Sequence, residues 1–138
     1  RSPSRGLGDV YKRQALLDAG YPAETITAVE RHTGLYQAMG QRFQGQSLDL
    51  VNDCFLEYAQ RAAAEGLRFT RILMNPPFRT ARKHIAAAMQ LLDDSPGATL
   101  VALVPSTFEH PDAEELERLP ADTFASAKVW TKIIQVAR

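Results

Sequence analysis

The fold is decided by residues 69–78, which read FTRILMNPPF. An apolar run that is typical of a buried strand leads directly into Asn75, Pro76, Pro77 and Phe78, which we call the NPPF loop. Proline lacks a backbone N–H and disfavours helical geometry in the residue before it, so two prolines in a row end both sheet pairing and helix formation. We therefore predict a strand over residues 69–74 and, after it, an extended loop with free carbonyl groups.

The NPPF loop offers groups that recognise a planar amino group. The Asn75 side-chain oxygen and the Pro76 carbonyl are two hydrogen-bond acceptors, and the Phe78 ring provides a face on which a base can stack. This combination suits a nucleobase that has been turned out of its helix.

The loop resembles the motif of the class I, S-adenosylmethionine-dependent methyltransferases that methylate amino groups. In that motif Asp or Asn is followed by two prolines and Tyr or Phe, and all four positions match here. The resemblance extends from about Ala15 to Val136. It implies an α/β, Rossmann-like sheet that closes with an antiparallel hairpin, S-adenosylmethionine as cofactor, and the four loop residues as the catalytic set, with no metal ion and no covalent intermediate.

Strand-like and helix-like segments alternate along the rest of the chain, which is the pattern of α/β proteins. The predicted strands, besides 69–74, cover residues 26–29, 48–52 and 98–104, and the predicted helices cover 34–43, 54–64 and 81–92. Two apolar stretches, 124–128 and 129–136, predict the closing hairpin, in which we expect Trp130 to be packed.

Three polar side chains follow successive predicted strands. In a doubly wound sheet the ligand lies beyond the carboxyl ends of the strands. The resemblance implies that Glu30 accepts hydrogen bonds from the cofactor ribose and that Asp53 lies beside its adenine, with Asn75 completing the cofactor-binding set. The alternatives are a solvated strand-end charge for Glu30 and a helix cap for Asp53.

Arg79, Arg82 and Lys83, which we call the basic cluster, follow the NPPF loop directly. We expect them to meet phosphates on either side of a target base, or else to be a solvated helix start. Basic and acidic residues balance at 16 each, and without residues 1–14, which hold four basic residues and one acidic, the net charge is −3. Any binding of DNA must therefore depend on local charge.

Residues 1–14 have neither helical nor strand periodicity, and we interpret them as a non-native or disordered leader ahead of a partial catalytic domain over 15–138. A native, flexible N-terminus is the alternative. The resembled fold begins with an apolar strand and a Gly-rich turn, of which Gly6-Leu7-Gly8 imitates only the glycine pair. We expect the first, central strand to be missing and cofactor binding to be impaired.

Methylation of the exocyclic amino group of adenine in DNA is the leading interpretation, because Leu119-Pro120 followed by Phe124 resembles the tail of phage- and plasmid-type adenine methyltransferases. Related loops also serve enzymes that act on guanine amino groups of ribosomal RNA and on glutamine amides of proteins. A non-catalytic α/β binding module of the antirestriction type is a further alternative, as is a chance Pro-Pro loop in an unrelated α/β protein.

Cysteine content and hydropathy limit the remaining classes. The single Cys54 excludes an internal disulfide and a multi-cysteine metal site, and it favours a cytoplasmic location. No segment has the length and apolar character of a membrane span, so we expect no membrane partner.

Overall fold

The computed structural model describes residues 17–121 and 129–138. These residues form two compact units, with the boundary in the chain between Tyr58 and Ala59. The leader predicted at residues 1–14, and the first apolar stretch of the predicted hairpin at 124–128, lie outside the described residues.

The first unit is a βαβ arrangement. Strands β1 (Thr27–Val29) and β2 (Asp49–Val51) are parallel and are joined by helix α1 (Thr33–Arg42). Parallel strands need such a crossover, because the chain must return to the starting edge before it pairs again. His32 directly precedes helix α1 and caps it, because its Nδ1 accepts the Leu35 N–H at 3.3 Å.

Shorter elements complete this unit. A 3-10 helix (Ala23–Thr25) precedes β1, and helix α2 (Phe55–Ala64) begins in the first unit and ends in the second. The helical turn at residues 17–18 ends at Gly20, whose φ of 93° lies in the left-handed region that favours glycine.

The second unit contains these elements in chain order: β3 (Arg71–Met74), α3 (Ala81–Leu91), β4 (Thr99–Pro105), β5 (Ala113–Leu119) and β6 (Thr131–Ala137). The four strands form one sheet with the order β3-β4-β6-β5. Strands β3 and β4 are parallel and are connected through helix α3, whereas β6 is antiparallel to both β4 and β5.

The core of the second unit lies on one face of β4. Residues that lie directly opposite one another in a ladder share a face, and Leu100 and Ala102 pair with Val136 and Ile134 of β6. All four are at most 2% exposed. Helix α3, which contacts β4, contributes side chains at helical spacing that are equally buried: Ala81, Ile85, Ala88 and Leu91.

The closing antiparallel pair is present, but its first strand differs from the prediction. Strand β5 (Ala113–Leu119) is not among the strands predicted from the sequence, because residues 114–118 are all exposed and show no apolar alternation. An edge strand tolerates such a composition, since charged side chains discourage pairing with other chains. Arg118 donates a 2.7 Å hydrogen bond to Glu115 and thereby lowers the pKa of that carboxyl.

Trp130 also departs from the prediction. It was expected to pack within the hairpin, but 52% of its surface is exposed. It precedes the first residue of β6, where the β5 partner ends with Leu119 opposite Thr131. The ladder therefore offers Trp130 no neighbouring strand residue on which to pack.

Each sheet ends in a strand whose outer edge is free within the described residues. Strand β1 pairs only with β2, and β3 pairs with no strand other than β4. The residues on which a first strand was judged missing lie outside the described part of the chain, so that expectation stays a prediction. None of its described helices has the length and hydrophobicity to cross a membrane.

Removing a core side chain of β4 tests this packing. We expect Leu100→Ala to lower the free energy of unfolding by about 2 to 5 kcal/mol, because Leu100 is fully buried and a cavity would remain. Leu116→Ala is the matched control, since Leu116 is 49% exposed and its truncation should cost no more than about 0.5 kcal/mol. Equal losses in urea denaturation would contradict the assigned core.

Candidate active site

The carboxyl ends of β1 and β2 remain paired beyond the strands themselves. The Glu30 N–H donates to the Val51 carbonyl at 2.8 Å, and the Asp53 N–H donates to the Glu30 carbonyl at 3.2 Å. These two bonds hold the predicted acidic residues side by side at one edge of the first unit's sheet. The prediction that both follow strand ends is confirmed in position.

Glu30 is buried, with 7% of its surface exposed. Its Oε1 accepts the His32 backbone N–H at 2.9 Å, which fixes the direction of the carboxylate. A carboxylate held in this way is a hydrogen-bond acceptor of fixed direction. The Glu30 carboxylate is therefore buried and oriented, and it is not a strand-end charge in open solvent, which was the alternative.

Asp53 lies at the start of helix α2. Its Oδ1 accepts the Cys54 N–H at 2.8 Å, so the carboxylate satisfies a backbone donor at the beginning of that helix. Cys54 precedes Phe55, the first residue of the helix, and both roles that the sequence left open for Asp53 stay predictions.

Asn52 lies at this site but is not among the site residues predicted from the sequence. In the amide orientation that satisfies both of its polar atoms, the Asn52 side-chain nitrogen donates to the carbonyls of Glu30 at 3.0 Å and Arg31 at 3.2 Å. The amide therefore ties the end of β2 to the end of β1. The signal available in the sequence was a second polar residue directly before Asp53.

The acceptors at this edge fit the nucleoside part of S-adenosylmethionine. A ribose presents hydroxyl donors and adenine presents an amino group, and both need acceptors such as the Glu30 and Asp53 carboxylates. The glycine pair Gly6-Leu7-Gly8, which the resemblance associates with the methionine part, lies outside the described residues.

In the second unit, β3 ends at Met74 and delivers the NPPF loop. Asn75 is half-buried and the Pro76 ring is buried, whereas Pro77 is exposed with an extended backbone, φ −56° and ψ 134°. Phe78 is half-buried and begins a 3-10 helix (Phe78–Thr80). The strand that stops at two prolines is therefore confirmed.

Two acceptors of the loop remain unused. The Pro77 carbonyl accepts the Thr80 N–H at 3.1 Å, and the Phe78 carbonyl accepts the Ala81 N–H. Within residues 17–121 and 129–138, however, no group donates to the Asn75 side chain or to the Pro76 carbonyl. These are the two acceptors that the sequence singled out.

The basic cluster begins immediately after the loop. Arg79 lies in the 3-10 helix, Arg82 and Lys83 lie in the first turn of α3, and all three are exposed. No acidic residue is present in that turn. Cations at a helix N-terminus oppose the helix dipole, which costs about 0.3 to 1 kcal/mol each. The stability of helix α3 therefore does not explain why the residues at its start are basic.

Two other features of the described chain are not part of this site. An open depression of about 550 Å³ involves Arg68 and Leu92, at the opposite end of β3 from the NPPF loop, where Phe69 pairs with Leu92. In the parts of the chain that the structure describes, no group of three or more His, Cys, Asp or Glu residues could hold a metal ion.

No protein-family model matches the chain, and no curated protein matches it significantly. Solved structures do match. A hypothetical protein of Thermus thermophilus is 19% identical with a TM-score of 0.62, over 86% of this chain and 64% of that one. A protein assigned as a methyltransferase and complexed with SAH is 16% identical with a TM-score of 0.55, over 80% of this chain and 38% of that one.

The SAM-dependent methyltransferase of Agrobacterium tumefaciens is 13% identical with a TM-score of 0.53, over 99% of this chain and 63% of that one. The present chain thus spans less than two thirds of the length of each of these three proteins. At these identities the likeness establishes the fold. The predicted Rossmann-like class I methyltransferase fold is confirmed.

Proposed function

We propose that this chain, which has the class I methyltransferase fold, is part of an enzyme that transfers a methyl group from S-adenosylmethionine to the exocyclic amino group of adenine in DNA. The main support is the NPPF loop, which follows β3 with its two acceptors unpaired. In α/β sheets, ligands bind at this end of the strands.

The loop meets the chemical requirement of amine methylation. The lone pair of an exocyclic amine is conjugated into the base, so the amine must be biased towards tetrahedral geometry before it can attack. The Asn75 side-chain oxygen and the Pro76 carbonyl each accept a hydrogen bond from one N–H of the amino group, and together they favour that geometry. S-adenosylmethionine supplies an electrophilic methyl group when it is bound.

The other loop residues position the base. Phe78 stacks on it and excludes water, and Pro77 holds the backbone extended so that Phe78 follows at a fixed distance. Base stacking contributes about 1 to 3 kcal/mol, which offsets part of the similar cost of turning a base out of the helix.

Glu30 and Asp53 are assigned to the nucleoside part of the methyl donor. Glu30 is the stronger candidate, because its carboxylate is buried and is oriented by the His32 N–H, and carboxylates accept hydrogen bonds from hydroxyl groups such as those of a ribose. Asn75 stays assigned to both the catalytic and the cofactor-binding sets, as the resemblance implies.

DNA is the proposed partner because of the basic cluster. Three exposed cations directly follow the loop, two of them in a position that is unfavourable for the helix. Local features that lower stability are typical of functional sites. Phosphate groups on either side of the target base would pair with these cations.

The cytoplasmic location inferred from Cys54 stays a prediction.

Substitutions in the loop separate binding from chemistry. We expect Asn75→Ala to lower kcat about 100-fold or more with little change in KM, because it removes an acceptor needed in the transition state. Phe78→Ala should instead weaken substrate binding about 5- to 100-fold through lost stacking. Gln90→Ala, an exposed change at the far end of α3, is the control. Equal effects of the two loop variants on kcat would contradict the separate roles.

Salt dependence tests the basic cluster. Each phosphate contact adds about 0.9 to the slope of log affinity against log salt for duplex DNA, and about 0.7 for single strands. Replacing Arg79, Arg82 and Lys83 by Gln should therefore remove up to two or three phosphate contacts, and the slope should fall by about 0.7 to 0.9 for each contact that is lost. Arg68→Gln, an exposed cation before β3, should leave it unchanged. An unaltered slope in the triple variant would refute phosphate binding.

Transfer of a labelled methyl group tests the activity itself. The chain would be assayed as it is and also fused behind an apolar strand with a Gly-rich turn, with DNA, RNA and protein offered in parallel. We expect label in DNA as N6-methyladenine, higher with the added strand and absent with Asn75→Ala.

The distribution of the label decides between the alternatives. Label in RNA or in protein would replace DNA as the substrate while keeping the chemistry of the loop. Label in none of the three, although the fused protein is folded, would favour a non-catalytic binding module.

A further inference from the structure

Trp130 and the NPPF loop adjoin the same end of the second unit's sheet. Pro105, the last residue of β4, pairs with Thr131, the first residue of β6. Since β3 is parallel to β4 and β6 is antiparallel to β4, the carboxyl ends of β3 and β4 and the amino end of β6 lie at the same end of the sheet. Trp130 directly precedes β6 at that end.

The strand register relates the two strands from which the aromatic residues come. Ala102 of β4 pairs with Met74 of β3 on one side and with Ile134 of β6 on the other. One strand therefore lies between β3 and β6, and Met74 and Ile134 are separated laterally by about 10 Å. Phe78 follows Met74 by four residues and Trp130 precedes Ile134 by four residues, in both cases outside the strand itself.

The indole is exposed although its backbone is held. Trp130 is 52% exposed and Val129 is 47% exposed, which is unusual because tryptophan is highly buried on average. The Ser106 N–H donates to the Trp130 carbonyl at 2.9 Å, and the next residue, Thr131, is completely buried. An exposed ring on a backbone fixed in this way loses little conformational entropy when it binds a partner.

The surroundings favour a nucleobase as that partner. A specific protein interface needs about 800 Å² on each side, whereas a base needs one aromatic face. The basic cluster follows the NPPF loop at the same end of the sheet, and none of its three cations has an ion pair within the described residues. An aromatic ring together with unpaired cations is the combination that binds single-stranded or locally opened nucleic acid.

We propose that Trp130 stacks on a base adjacent to the target base in the DNA strand on which the NPPF loop acts. The proposal rests on the proposed function and adds a second stacking position to the one at Phe78. Trp130 is then a positioning residue, which holds the opened strand in register by stacking on the neighbouring base.

Its fluorescence provides a direct test, because Trp130 is the single tryptophan of the chain. The chain would be titrated with an unlabelled single-stranded oligodeoxyadenylate, and separately with inorganic polyphosphate as an anion without bases. We expect the oligonucleotide to quench the tryptophan emission and polyphosphate to leave it unchanged, since only a base can stack on the indole.

Variants measure the contribution to affinity. With a fluorescein-labelled oligodeoxyadenylate followed by anisotropy, Trp130→Ala should weaken binding about 5- to 100-fold, and Trp130→Phe should retain part of the affinity because a ring remains. Val129→Ala is the matched control, since it removes neighbouring exposed apolar surface without touching a ring. All three should keep the thermal unfolding temperature of the parent chain.

The outcomes distinguish this inference from the proposed function. Binding of the labelled oligonucleotide with unchanged tryptophan emission, or with equal affinity of Trp130→Ala, would overturn the stacking role alone. Failure to bind any DNA or RNA oligonucleotide would overturn the nucleic-acid substrate and the inference together. Quenching by RNA of the same sequence but not by DNA would overturn the assignment to DNA.

Discussion

The double pairing of β4 is the constraint on which the second unit depends. The strand is parallel to β3 on one side and antiparallel to β6 on the other, and its pairing with β6 covers its whole length, from Thr99 opposite Ala137 to Pro105 opposite Thr131. Its side chains at Leu100, Ala102 and Val104 are almost completely buried. A strand held on both sides and covered on one face cannot shift register without exposing its core. The ends of its neighbours are therefore fixed as well.

This register gives the prolines of the NPPF loop their effect. They remove two backbone donors at the point where β3 leaves the sheet, so the chain cannot continue to pair and the Pro76 carbonyl finds no donor among the described residues. Unpaired acceptors are costly when no partner reaches them. In the proposed function these two acceptors bind the two protons of the target amino group.

Charge is distributed unevenly over the same sheet. Strand β5, at one edge, exposes Glu114, Glu115 and Glu117, and its Arg118 is engaged with Glu115. The basic cluster follows β3, at the other edge, and is free of ion pairs within the described chain. A chain of zero net charge thus presents local positive charge beside its loop. Polyanions are attracted by that local charge and not by the overall balance.

The sequence by itself determined the strand that stops at Asn75, the alternation of strands and helices, and the positions of Glu30 and Asp53 after strand ends. These features depend on local properties, namely proline geometry, side-chain periodicity and order along the chain. Only the tertiary structure decided that the polar segment Ala113–Leu119 is a strand, because an edge strand needs backbone pairing with β6 and no apolar pattern. It also decided that Trp130 is exposed, since exposure depends on which neighbours the sheet register provides.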